Sequence, residues 1–360
     1  MTAAESGRAR AQDAPRVLVP ARATVPFLVG VAFLVGSVLL GLLVGPVHLG
    51  VGAVARSAVS HLPLSHVRST LSDADEAILW QLRAPRVVLG VLVGGMLALA
   101  GGAYQGVFRN PLVDPYLLGV AAGAGLGATL AIAYGGGTVH HYDLLPLAAF
   151  LGAALGVTLA YLLGHAANSR SPAALVLAGV TVVSFLTAVQ TFVQQQHTDS
   201  LQEVYGWILG RLSTATWHDV ALVAPYIVVS SVLILLHGRL LDVLSVGDEE
   251  AATLGVNVGR VRLVVVVAAT IGTAAAVAVS GLIAFVGIIV PHFVRLAVGT
   301  SYRIVLPLSM LFGGGFLVLA DVLARTIISP AELPIGVVTA FFGAPFFAVV
   351  LRTVGRSGGP

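Results

Sequence analysis

Few residues in the apolar stretches of this chain could carry acid–base or metal chemistry. Ten long apolar runs contain only three ionisable side chains, His292, Arg295 and Asp321, and all three lie towards the ends of their runs. A charge in the middle of a membrane span is costly and marks function, so the pattern argues against a proton- or sodium-coupled carrier. The chain also has no cysteine, no His-Glu-x-x-His motif and no Gly-x-Ser-x-Gly elbow. No catalytic residue and no metal site is therefore predicted.

Three arginines could recognise the carboxylates of a partner. Arg83 and Arg86 flank Pro85 at the start of the second apolar run, where the positive end of a helix dipole disfavours cations. Arg325 follows Asp321 by four residues, a spacing that also allows an internal ion pair. Two interpretations stay open: the arginines meet an acidic partner, or they anchor helix ends at the membrane surface by snorkelling.

An acidic segment lies within the loop of about residues 238–262. Three carboxylates follow a glycine there, which suits the first turn of a helix, and a later glycine is a natural C-cap. We predict a short amphipathic helix, either a solvated connector or an element that docks into a groove of a cytoplasmic partner. The segment comprises Gly247, Asp248, Glu249, Glu250, Ala251, Ala252, Leu254 and Gly255.

An uncharged polar patch stands at the end of the fifth run. Gln190, Thr191 and Gln194 could line a translocation pathway that passes a large hydrophilic chelate without trapping it, or they are a helix end that meets water. Three histidines are predicted on the outer side and could suggest haem, although a haem ligand requires one well-placed histidine and spacing alone does not define such a placement. They are His140, His141 and His197.

The elements that must hold these residues follow from composition. Of 360 residues, 57% are apolar and 10% are charged, whereas soluble domains have about 45–50% and about 25%. At about 20 residues a crossing, this excludes a soluble enzyme and predicts an all-α bundle of about ten transmembrane helices. The runs are 25–44, 87–107, 117–134, 144–164, 173–192, 220–236, 263–279, 283–298, 304–322 and 337–351. The eighth is short and contains Pro291, so it is predicted to be kinked or only partly spanning.

Arginine placement predicts the orientation. With the N-terminus inside, 13 arginines lie in inner segments and 6 in outer ones, which favours cytoplasmic termini. We assign 1–24 and 355–360 to cytoplasmic tails and 25–354 to the bundle.

All 19 basic residues other than histidine are arginine, so the chain has no lysine for a phosphate-binding loop. If transport is driven by ATP, another subunit must supply the ATPase. The net charge of +3 is spread between apolar runs, and no nucleic-acid partner is expected.

Glycines recur four residues apart in three runs. Because four residues make about one helical turn, each such ladder gives a smooth face on which a second helix can lie close. This packing suits a transporter or a channel and does not choose between them. The ladders are Gly102 and Gly106; Gly119, Gly123 and Gly127; and Gly152 and Gly156.

Six motifs, in order along residues 25–354, resemble the FecCD-type permease family, the membrane subunits of ABC importers for iron-siderophores, haem and cobalamin. They are WQLRAPR (80–86), YQGVFRNPLVDPYLLG (104–119), GDEEAATLG (247–255), GLIAFVGIIVPHFVR (281–295), LADVLAR (319–325) and AELPIGVVTA (331–340), the last followed by GAP (343–345). Only the N-terminal tail and the last few residues fall outside the resemblance.

The resemblance implies a ten-span chain in a bacterial inner membrane, paired with a second permease chain as a homodimer or heterodimer. It implies two cytoplasmic ATPase subunits that use ATP and Mg²⁺, an extracytoplasmic binding protein, and no cofactor on this chain. Arg83, Arg86 and Arg325 match the family's outer arginines, which pair with carboxylates of the binding protein. The segment 247–255 matches the family's coupling region, which contacts the ATPases. A ferric-siderophore-like chelate is the expected cargo, with haem or cobalamin as alternatives and ion-coupled transport as a distant one.

Overall fold

The computed structural model describes residues 24–61, 69–135, 144–166 and 172–357. Within these residues the chain is helical and contains no strand. Its helices are α1 (Thr24–Leu43), α2 (Val51–Ser60), α3 (Asp73–Phe108), α4 (Val120–Tyr134), α5 (Leu144–Ala166), α6 (Pro172–Gln196), α7 (Leu201–Ile208), α8 (Trp217–Leu236), α9 (Gly238–Val246), α10 (Asp248–Thr253), α11 (Val258–Ser280), α12 (Val286–Val298), α13 (Tyr302–Thr326) and α14 (Ile335–Ser357). Both predicted tails, except at their inner ends, and the histidines His140 and His141 lie outside the described residues.

Seven of these helices are long and apolar enough to cross a membrane: α1, α3, α5, α6, α8, α11 and α13. Three shorter apolar helices, α4, α12 and α14, complete the set. These ten helices of the described residues match the ten predicted runs in order, so the all-helical, multi-pass architecture is confirmed. That each helix crosses the membrane completely, and that both termini lie inside, stay predictions.

Helix α3 begins earlier than the sequence predicts. It starts at Asp73, where the Ser72 side chain accepts a hydrogen bond from the Asp75 backbone at 3.2 Å, and acids occupy its first turn. A π-helical stretch, Ile78–Arg83, leads into the apolar part. The prediction that Arg83 stands at the start of this helix is wrong, because an apolar run does not reveal a polar extension capped by serine.

Helix α3 is the centre of the bundle, and its apolar part is almost entirely buried. Glycines let its backbone touch two neighbours. A Cβ atom added at Gly94 would lie 2.3 Å from the carbonyl oxygen of Gly313 in α13, and one added at Gly101 would lie 2.0 Å from that of Gly287 in α12. Such distances exclude any larger residue, so this backbone contact depends on glycine.

Two of the predicted glycine ladders form one tight interface between α4 and α5. A Cβ atom at Gly123 would lie 2.1 Å from the carbonyl oxygen of Gly152, and one at Gly156 would lie 2.4 Å from that of Gly119. The packing predicted for these ladders is confirmed. The third ladder behaves differently, since Gly102 meets side chains of α12 and α13 and the backbone contact falls at Gly101 instead.

Helix α12 is short because it begins inside the bundle. Its N-cap, Phe285, has a left-handed φ of 71°, and Gly287 in its first turn lies against the middle of α3. The helix has 13 residues and contains Pro291. The eighth run therefore fits the partly spanning alternative.

Candidate functional site

The two ends of the bundle carry different groups. The first, here the cluster end, gathers five ionisable side chains from α3, α13 and the segment before α14: Arg83, Arg86, Asp321, Arg325 and Glu332. The second, here the loop end, carries α10 and the ends of the helices that hold it.

Arg83 is buried and serves the end of α1. Its guanidinium donates to the backbone carbonyls of Leu42 at 2.9 Å and Leu43 at 3.1 Å, and to that of Val47. The last carbonyls of a helix have no partner within it, and a cation there also suits the helix dipole. Gly45 lets the guanidinium lie close to the backbone, since a Cβ atom at that position would lie 2.8 Å from Nη2.

Arg325 has a similar role. It is 3% exposed, donates to the carbonyl of Gly41, and lies 3.6 Å from the Asp321 carboxylate. The internal ion pair that the four-residue spacing allowed is thus present. Two arginines, from α3 and α13, together hold the C-terminal carbonyls of α1.

Arg86 meets two carboxylates. Its Nε donates to both oxygens of Asp321 at 2.9 and 3.0 Å, and its terminal nitrogens donate to Glu332 at 2.9 and 3.0 Å. Arg86 is therefore paired with carboxylates of this chain. Glu332 stands 246 residues from Arg86 along the chain, so no local pattern could reveal this pair.

A pocket of about 180 Å³ opens beside this pair. Arg86, Glu332 and Arg211 contribute to its wall. Arg211 is half-buried and forms no ion pair with any residue that the structure describes. Of the three arginines singled out in the sequence, only Arg86 reaches this opening, and docking to a binding protein stays a prediction.

At the loop end, the predicted short helix is present as α10. Its first residue, Asp248, accepts from Arg262 at 2.8 Å and lies 3.3 Å from Arg109. Ala251 is fully buried, whereas Leu254 is 70% exposed. Gly255 has a φ of 80° just after the helix ends, as a C-terminal glycine should. The helix is confirmed, and its contact with ATPases stays a prediction.

The neighbouring helix α9 fixes this region to the bundle core. Asp242 accepts from the Ser301 hydroxyl at 2.9 Å and from the Tyr302 backbone at 2.5 Å, at the start of α13. A carboxylate there caps the free N–H groups of α13. Helices α9 and α10 are thus held by ionic and capping bonds to three spans.

The proposed pathway residues do not share one environment. Gln190 is 9% exposed and its amide lies against Gly125 of α4. Thr191 is exposed, and its hydroxyl donates to the carbonyl of Thr187 at 2.9 Å, while Gln194 is half-buried. The role of this patch in translocation stays a prediction.

Sequence reasoning missed one buried carboxylate. Asp114, in the connection between α3 and α4, is 9% exposed and accepts from the Tyr116 backbone at 2.8 Å. A Cβ atom at Gly287 would lie 2.6 Å from its Oδ2, so the connection folds back against the start of α12. Burial raises the pKa of Asp114 to about 6, although the Tyr116 N–H bond opposes the rise. Pro111 and Pro115 flank this segment and favour a tight turn, but they give no sign of burial.

A buried polar link joins α12 to α3. Arg295 donates to the side-chain oxygen of Gln105, and the amide nitrogen of Gln105 donates to the carbonyl of Gly287 at 3.0 Å. Gln105 lies in the motif of residues 104–119 and Arg295 in that of residues 281–295, 190 positions apart. The link secures the helix that begins within the bundle.

This arrangement of packed apolar helices, with a short polar helix at one end, is that of a multi-pass membrane protein. The FecCD transport family model matches residues 32–353. An uncharacterised ABC transporter permease, YvrB of Bacillus subtilis (strain 168), is 40% identical over 339 residues, covering 92% of this chain and 94% of that protein. The cobalamin import system permease BtuC of Halobacterium salinarum is 42% identical over 280 residues, covering 78% and 74%.

The fold has a solved counterpart. A structure described as an inward-facing conformation of a metal-chelate type ABC transporter superposes with a TM-score of 0.79 at 30% identity, covering 92% of this chain and 99% of that one. Further relatives carry names for import of Fe(3+)-citrate, hemin and molybdate. The chain belongs to the FecCD transport family, and it is a permease, the membrane component of an ABC transporter.

Proposed function

We propose that this chain is the permease half of a binding-protein-dependent ABC importer that moves a ferric-siderophore-like chelate into the cytoplasm. Partner subunits hydrolyse ATP with Mg²⁺, a second permease chain completes the pathway, and a binding protein delivers the cargo. Helix α10 carries the proposal: it is pinned by Asp248 yet presents Leu254 outward, as a helix that must transmit force to a partner requires.

The cluster end is the proposed docking face for the binding protein. Arg86 and Arg211 stand at its pocket, and Glu332, whose side chain is 35% exposed, can exchange its bond to Arg86 for water. Arg83 and Arg325 support this face from beneath by fixing the end of α1. An acidic patch on the binding protein would complement the half-buried Arg211 and the exposed edge of Arg86, and would guide its approach.

A metal chelate is favoured because the solved counterpart is of the metal-chelate type and relatives are named for Fe(3+)-citrate import. The second candidate is cobalamin, favoured by the 42% identity to a cobalamin import permease. The two candidate cargoes can be told apart by growth, because a cell without this chain would lose the use of either the ferric chelate or cobalamin.

Growth of a strain lacking this permease tests the cargo. We expect loss of growth when a ferric siderophore is the sole iron source, with growth retained on haem and with cobalamin-dependent growth intact. The plasmid-borne chain should restore growth. Loss of cobalamin-dependent growth alone would establish the second candidate and contradict the first.

A further inference from the structure

A groove of about 330 Å³ opens between α3, α5 and α11 at the loop end. Two of its polar residues, His165 and Arg262, lie within two turns of the helix termini at that end, whereas Val157 and Val266 lie deeper along the same helices. The groove therefore grades from a polar mouth to an apolar interior. Its full lining is Val107, Phe108, Leu118, Val157, Tyr161, Gly164, His165, Gly259, Arg262, Leu263 and Val266.

The mouth carries an incompletely satisfied cation. Within the described residues, Arg262 and Arg109 both pair with the carboxylate of Asp248. The Nε of Arg262 is buried and makes no hydrogen bond within the described part of the chain. A buried N–H group without a partner is costly, and an anionic oxygen is the acceptor that best satisfies a guanidinium.

The surroundings of the groove are those of a membrane interface. Tyr161 stacks on His165, with ring centroids 6.2 Å apart and planes within 5°, and aromatic rings gather at the level of lipid headgroups. The adjoining surface is apolar and open: Leu162 is 57% exposed and Leu263 is 50% exposed. Leu263 also borders a second apolar groove of about 650 Å³ between α8 and α11.

We propose that this groove binds an anionic phospholipid, with the phosphate at Arg262 and an acyl chain along Val157 and Val266. A phospholipid changes from an anionic headgroup to hydrocarbon, as the lining changes from Arg262 to Val157 and Val266. Since Arg262 also holds Asp248, the bound headgroup shares a cation with α10. Lipid composition is thereby linked to the helix assigned to coupling, although the binding itself does not depend on that assignment.

Native mass spectrometry of the full-length chain tests the headgroup. The chain is titrated with dioleoylphosphatidylglycerol and with dioleoylphosphatidylcholine, which has the same tails. We expect tighter retention of phosphatidylglycerol, and a loss of about tenfold in Arg262→Gln, since one hydrogen-bonded charge is removed. The matched control is Arg260→Gln, an exposed arginine in the same turn that does not line the groove, which should bind like wild type.

A second variant separates lipid binding from damage to α10. Asp248→Asn breaks the same ion pair but leaves Arg262 in place, so phosphatidylglycerol should be retained at least as well as in wild type. Equal losses in Arg260→Gln and Arg262→Gln, or equal retention of both lipids by wild type, would overturn the proposal. The proposal would also be overturned if a second copy of the chain covered the groove and excluded lipid.

Position is tested by fluorescence, because the chain has no cysteine and a single one can be introduced. A bimane label at Tyr161→Cys should be quenched more by dibrominated phosphatidylglycerol than by dibrominated phosphatidylcholine. A label at Leu151→Cys, on the same helix and 56% exposed but outside the groove, should be quenched equally by both. If the label at Tyr161→Cys were quenched equally by the two lipids, a site in this groove would be contradicted.

Discussion

Arg83 and Arg86 are three residues apart on one helix, yet their side chains meet different surroundings. Arg83 is buried on backbone carbonyls, whereas Arg86 reaches a pocket between two carboxylates. Charge reversal of Arg86 would set three carboxylates together and leave buried Asp321 without its closest cation. Loss of uptake in Arg86→Glu would therefore report misfolding as readily as lost docking.

Docking is better tested at Arg211, which has no ion pair to lose within the described residues. We expect Arg211→Glu to weaken binding of the binding protein by about fivefold, since an exposed pair contributes up to about 1 kcal/mol. Higher salt should weaken wild-type binding through screening. Binding titrations at low and high salt check this, with Arg260→Glu at the loop end as the matched reversal. Equal effects of both reversals would refute docking at the cluster end.

Asp114 gives a prediction about pH. Its pKa, about 6 in the fold, is above the ordinary value of about 3.9, so the folded state favours the protonated form. The stability that this preference supplies is present below about pH 4 and is lost as pH rises through about 6. Relative to wild type, Asp114→Asn should gain about 2 kcal/mol of stability between pH 4 and pH 7.5.

Thermal unfolding of both proteins across this pH range checks the prediction. Asparagine keeps the side-chain oxygen that accepts the Tyr116 N–H, so the pH slope isolates the charge. If Asp114→Asn instead lost stability relative to wild type as the pH rises, the start of α12 would hold Asp114 in its ionised form, as a helix N-terminus can.

At the scale of elements, α10 combines a buried residue with an exposed one. Leu254→Asp alters only the exposed side, so we expect unchanged thermal stability but loss of transport-coupled ATP hydrolysis in the assembled complex. Leu254→Met keeps an apolar side chain and should retain coupling. ATPase activity of the complex, with and without loaded binding protein, measures this. Normal stimulation in Leu254→Asp would contradict a coupling role for α10.

The sequence predicted these elements unequally. The apolar runs and the acid-first, glycine-last pattern of α10 were predicted well, because hydrophobicity and helix capping depend on residues close together along the chain. The start of α3 was missed, since its first turns are polar and depend on a serine cap. The pairing of Arg86 with Glu332 and the burial of Asp114 arise from packing between distant segments, which no local pattern encodes.

At the scale of the whole molecule, the chain is a close-packed bundle whose glycine contacts hold backbone against backbone at α3, α4 and α5. Both ends carry charged side chains, and we predict a different partner at each. The chain has no lysine with which to build a phosphate-binding loop. We therefore predict that a partner subunit powers transport by this molecule.

Uptake into liposomes tests this central claim most directly. The chain is reconstituted with the ATPase subunit and binding protein of its own organism, and entry of a radiolabelled ferric siderophore is measured while each component is omitted in turn. We predict ATP-dependent uptake that requires both partners, with no ATP hydrolysis by the chain alone. Uptake that persists without the ATPase, or hydrolysis by the purified chain, would contradict the account.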